Sequence, residues 1–172
     1  MKESKEGKVK KLVITAFLVV VLTMVLAVPA MAAAPTVHKV TGGGGILWGP
    51  DEMFVNYGFT AKEVDGCGNA KGEFAYTGRD LEPSLRYKAD ILYLVVDGNE
   101  AWMGGVITQS NVDWIAVGDG MVFKVVDNGE GSKATGPDWI STIWVGVDPA
   151  DALSMPDLGC GFDFVKGNIQ VS

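Results

Sequence analysis

The chain has 172 residues, 14 of them basic and 21 acidic, for a net charge of −7, and 48% of its residues are hydrophobic. That balance repels polyanions, which excludes nucleic acid and anionic lipid surfaces as expected partners and leaves cations and neutral ligands open. One histidine and two cysteines are too few for a structural zinc site, and acidity by itself is an ordinary solubility device.

Met1–Lys11 is basic, with Lys2, Lys5, Lys8, Lys10 and Lys11 against Glu3 and Glu6. Leu12–Val28 is an apolar run, followed by Pro29 and the small-residue pattern Ala30-Met31-Ala32. This order predicts an export signal peptide over 1–32, cut after Ala32. The competing reading is an uncleaved anchor, because seventeen residues lie near the lower limit of about 17–25 for a membrane-spanning helix. The expected location is secreted, extracellular or in the cell envelope, with no membrane attachment after cleavage. Removing the leader takes away five Lys and two Glu, so the domain over 33–172 carries nine basic and nineteen acidic residues, a net of −10.

The remaining 140 residues suit one domain with a real core. Cys67 and Cys160 each sit between two glycines. In an oxidising compartment they are expected to pair, closing a loop of about ninety residues worth roughly 4–5 kcal/mol in the chain-entropy account.

From the start of the domain, Val37–Val40 leads into Gly42–Gly45. The four glycines lack the Gly-Lys-Ser/Thr ending of a phosphate loop, so a strand bend under close backbone approach is expected. Met53–Ala61 alternates with period two, the mark of a half-buried strand. Gly72–Gly78 follows after the Asp65-Gly66 turn. Ser84–Asp97 alternates and then becomes apolar on both faces, reading as a long strand entering a covered region. Asp97-Gly98 predicts a hairpin to Trp102–Thr108. Val112–Val117, Met121–Val126 and Trp139–Val147 read as further strands, Pro149–Met155 as one helical turn with Pro at its first position, and Phe162–Val171 as the last strand, bulged at Gly167.

Eight to ten short strands joined by tight turns predict an all-β fold. A single antiparallel barrel-like meander or strongly curved β-sandwich disposes of the edges best, with the N-terminal strand beside Ile169–Val171. An immunoglobulin-type sandwich is the alternative, without its usual Cys–Trp–Cys arrangement. Tyr57, Phe59, Tyr87, Ile91, Tyr93, Phe123, Val125 and Ile143 occupy the apolar phases of their strands and are expected to share one core.

Val40-Thr41-Gly42-Gly43-Gly44, Tyr57-Gly58-Phe59-Thr60-Ala61-Lys62, Val126-Asp127-Asn128-Gly129-Glu130 and Gly167-Asn168-Ile169-Gln170-Val171 occur in an order that resembles an uncharacterised exported prokaryotic β-domain family. The resemblance implies an exported all-β domain and brings no catalytic residues. The chain departs from the family's closing Gly-Gly-Asn-Ile with Lys166-Gly167-Asn168-Ile169.

No catalytic residue is assigned. The lone His38 lies beside the start of the domain as a strand-surface residue, and the carboxylates cluster in glycine turns where solvated charge is the ordinary role. Of the five tryptophans, Trp48, Trp102, Trp114, Trp139 and Trp144, most are expected in the core. A platform for sugars or apolar ligands is the alternative.

The densest oxygen cluster is the Asp127–Asp138 connection. Asp127, Asn128, Glu130 and Asp138 offer carboxylates, an amide and turn carbonyls, the ligand types of calcium. The EF-hand register is absent, and a hairpin capped by its own side chains is the competing reading. Calcium is the one cofactor candidate. The expected function is a structural or envelope-associated module. A binding domain for calcium, a glycan such as a cell-surface polymer, or a small apolar ligand is the alternative, and a barrel enzyme the third.

Overall fold

The computed structural model describes residues 37–80 and 84–172; the leader expected over 1–32 lies outside the described residues. Ten strands follow in chain order: β1 (Lys39–Trp48), β2 (Met53–Glu63), β3 (Asn69–Gly78), β4 (Leu85–Asp97), β5 (Glu100–Ser110), β6 (Gly120–Val126), β7 (Trp139–Ser141), β8 (Trp144–Val145), β9 (Gly161–Asp163) and β10 (Lys166–Val171). All pair antiparallel in one sheet of order β10-β1-β2-β3-β4-β5-β6-β7-β9, with β8 on β6. The sheet curls into a half-barrel, and β10 lies beside β1 as expected, Val171 opposite Val40. Among the described residues no helix is long and apolar enough to cross a membrane.

The concave face is filled by rings in mutual contact. Phe74 lies 4.9 Å from Phe123 and 5.9 Å from Tyr87, Tyr87 stacks on Tyr76 at 4.7 Å, and Tyr76 meets Tyr57 edge-on at 5.2 Å. Phe59 and Phe164 extend the chain at its two ends. Burying each such side chain contributes about 1.5–3 kcal/mol.

Six of the eight expected core residues share this cluster, and Ile143 packs against it. Tyr93 does not. The β4–β5 register shifts between Ile91 and Tyr93, so the phase of β4 reverses there. Leu94 turns inward in its place, and Tyr93 packs on the convex face with Trp102, Val122, Ala152 and Leu158. A 3₁₀ turn, Pro149–Ser154, covers that second cluster; Asp148 caps it by accepting from Ala150 N at 2.9 Å.

Three expected strands are corrected: Phe162–Val171 is two strands, β9 paired with β7 and β10 paired with β1. Residues 112–119 form consecutive turns, closed by Ile115 N to Val112 O and Asp119 N to Ala116 O; Ile115 inserts into the core and Val112 packs against it. Trp139–Val147 is broken after Ser141, whose hydroxyl takes the place of a ladder carbonyl by accepting from Lys124 N at 2.9 Å.

The glycines of β1 are a close-approach site, as expected. A Cβ at Gly44 would collide with the carbonyl of Lys166, and Cβ atoms at Gly42 and Gly45 would enter the rings of Phe59 and Phe54. Gly167 is a second such position, with φ +122° and the Gly43 carbonyl against it. It does not bulge the strand, because the β1–β10 register runs unbroken from Val40 to Gly45.

The expected Cys67–Cys160 disulfide does not form: both cysteines are free and exposed. Cys67 lies in the β2–β3 turn, while the Cys160 carbonyl is held by Thr142 N beside β7. β3 and β7 are separated by β4, β5 and β6.

The tryptophans are corrected as well. Trp102 alone is buried, on the convex face, with its indole N–H on Pro156 O at 3.0 Å. Trp48, Trp114 and Trp144 are 42%, 71% and 48% exposed.

Candidate functional site

β6 ends at Val126, and the chain then makes the acidic connection before β7. The Asp127 backbone is fixed first: its N–H donates to Asn99 O at 2.9 Å, and its carbonyl accepts from Asn99 Nδ2 at 2.8 Å. Asp127 Oδ1 accepts from Gly129 N at 2.8 Å, an Asx turn, with Gly129 at φ +86°. Thr135 N returns to Asn128 O at 2.8 Å and closes the loop. Asn128 Nδ2 donates to Pro137 O, and Asn128 N donates to Asp138 Oδ1 at 2.9 Å.

The four predicted residues do meet in one connection: Asp127, Glu130 and Asp138 each turn one carboxylate oxygen to β10, while Asn128 bonds within the loop. Asp138 Oδ2 accepts from Ile169 N at 2.6 Å, and Asp127 Oδ2 accepts from Val171 N at 3.0 Å. Glu130 Oε1 accepts from Asn168 Nδ2 at 2.7 Å and from Gln170 Nε2 at 2.9 Å. The bonds from Gln170 and then Asn168 hold the Glu130 carboxyl below the ordinary glutamate range. Phe164 N adds a bond to Asp138 O at 2.8 Å.

Two carboxylates thus stand where a neighbouring strand would place its carbonyls. They satisfy the outward N–H groups of β10, which would otherwise be an open edge. The oxygens expected as calcium ligands on Asp127, Asn128, Glu130 and Asp138 are hydrogen-bonded within the connection and to β10. Both oxygens of Asp127 and both of Asp138 already accept N–H groups, and among the described residues no three His, Cys, Asp or Glu side chains converge as a metal set. The arrangement is a clasp between the connection and the last strand. Sequence reasoning found one half of it. The other half was signalled by Asn168 and Gln170, amides alternating with the inward Ile169 and Val171.

Two other places could do chemistry. The convex face of β2–β5 holds a hollow of about 550 Å³, floored by Gly58 and Ala75 and walled by Thr60, Glu73, Lys88 and Gln109. On the concave side the ionisable groups within the aromatic core are tyrosines. Burial pushes the Tyr57 and Tyr87 hydroxyls above the ordinary tyrosine range, with smaller contributions from their tyrosine neighbours. They stay protonated at neutral pH and offer neither base nor nucleophile. His38 is half-buried just before β1, bonded through its backbone to Glu63.

Comparison with family models, with curated proteins and with solved structures gives no match to this chain.

Proposed function

We propose that this chain is an exported, envelope-associated β-domain that works by presenting its outer surface. The observation that carries the reading is the interior: seven aromatic rings, from Phe59 through Phe123, Phe74, Tyr87, Tyr76 and Tyr57 to Phe164, fill the space that a ligand-carrying barrel keeps open. The buried carboxylates point the same way, since Glu63 accepts from His38 N and Gly68 N while Asp138 holds β10. Their hydrogen bonding is structural. Export is supported by the basic, apolar and Ala30-Met31-Ala32 order of the leader.

Fractionation of cells expressing the full chain tests this, combined with mass spectrometry of the recovered protein. The expected result is recovery in the envelope or medium with a mature N-terminus at Ala33. Recovery of the intact chain in the cytosol would overturn it.

A further inference from the structure

We propose that the convex face of β1–β3 is a docking row for an acidic polysaccharide, built from Lys39, Lys62 and Lys71. This rests on the reading of the chain as an exported envelope domain. The strand register makes the row: Lys39 lies opposite Lys62, and Lys62 lies opposite Lys71. Three ammonium groups therefore stand one per strand, at steps of about 4.8 Å. All three are exposed, while their chain neighbours Val40, Ala61 and Ala70 turn into the core.

Folding gives no reason for the alignment. Like charges directly opposite one another destabilise an antiparallel pair. Lysines often guard the edge of a sheet, but β2 lies between β1 and β3, and those two are flanked by β10 and β4. Among the described residues the one ion pair is Lys124–Glu100, so none of the three lysines is held in a direct ion pair. Three of the nine basic residues after Ala32 fall here, in a domain with nineteen acids. At physiological salt the field decays over about 8 Å, so a ligand lying on the row feels these lysines before the net charge. The nearest acids bound the row. Asp127 and Glu130 share a hollow with Lys39, and Glu73 follows Lys71 by two residues.

The adjoining row identifies the ligand class. Gln170, Thr41 and Thr60 are aligned by the same register, which ends the row at Glu73 on β3, and the Thr60 side chain is exposed beside the lysines. Hydroxyls beside a line of ammonium groups suit a polymer that carries both sugar hydroxyls and carboxylates. The row holds no aromatic or arginine side chain on which nucleic-acid bases would stack.

The test is electrophoresis of the protein purified from its expressing host, through gels containing polygalacturonate, at low and at physiological salt. Retardation at physiological salt, where the net charge is screened, is expected. The triple variant Lys39→Gln, Lys62→Gln, Lys71→Gln is expected to bind roughly 10- to 100-fold more weakly, with an unchanged melting temperature. Lys133→Gln, off the row, is expected to behave as wild type, and neutral dextran to have no effect. Absence of retardation, equal retardation of the triple variant, an equal loss in Lys133→Gln, or stronger binding to phosphatidylglycerol vesicles would each overturn the proposal. Protein that reaches the envelope without binding polygalacturonate removes this inference alone. Protein that binds but stays in the cytosol removes the envelope reading instead.

Discussion

Asp138 and Ile169 lie 31 residues apart and share a hydrogen bond of 2.6 Å from the Ile169 amide to a buried carboxylate. Through it the β6–β7 connection holds the last strand on the side that β1 leaves open. The other carboxylate oxygen holds Asn128 N, so one side chain fixes both the loop and the strand it grips. Asp138→Ala leaves two N–H groups without their acceptor. The expected cost is about 2–4 kcal/mol, since bonds to a charged acceptor contribute about 1.5–3 kcal/mol and an unsatisfied buried group costs a further 1–3. Asp127→Ala, at a more exposed carboxylate, should cost about 1 kcal/mol. Urea unfolding of the two variants ranks them; equal stabilities would contradict the ordering.

Acid should loosen the same seam. The Glu130 carboxyl is held below its usual value of 4.5 by Gln170 and then Asn168. A depressed folded-state pKa gives stability that is fully present above the unfolded value and is lost as pH falls through the folded one. Melting temperature should therefore drop below about pH 4.5, less steeply in Glu130→Gln than in wild type. Parallel curves for the two proteins would remove Glu130 from the acid response.

The β1 glycines give a paired test of close packing. Gly44→Ala drives a methyl group into the Lys166 carbonyl and the Gly167 backbone, and overpacking of this kind costs about 1–3 kcal/mol. Gly58→Ala, one strand away on the convex face, meets nothing within 4 Å and should change stability little or raise it by about 0.4–1 kcal/mol. Thermal melts of both should move in opposite directions or differ by several degrees. A neutral Gly44→Ala would mean that β10 does not press on β1.

The order of strands and the Val40–Val171 closure were legible in the sequence, because period-two patterns and glycine turns act locally. Tyr93 was misplaced for a reason no alternation shows: the bulge after Ile91 depends on the β5 partner. Val112–Val117 looked like a strand, yet Ile115 inserts into the core three residues after Val112 at a turn spacing. The acidic connection was recognised as a convergence of oxygens, but its partners lie up to 44 residues away on β10. Composition therefore showed the oxygens, while the backbone N–H groups that they accept lie on a distant strand.

Calcium separates those two uses of the same oxygens. With the Asp127 and Asp138 carboxylates already accepting four N–H bonds, calorimetric titration should give no binding heat, and millimolar calcium should leave the melting temperature unchanged. Saturable heat that Asp127→Ala abolishes would contradict the clasp.

The most direct measurement is amide hydrogen exchange along β10 in wild type and in Asp138→Ala. Ile169 N and Val171 N face away from β1, and their acceptors are Asp138 and Asp127. Both amides should exchange slowly in wild type. In the variant Ile169 should exchange much faster, while Val125, a core residue on β6, stays protected, because removing one acceptor opens the seam locally before the sheet unfolds. An Ile169 amide that exchanges freely in wild type, or at the same slow rate in Asp138→Ala, would contradict the account.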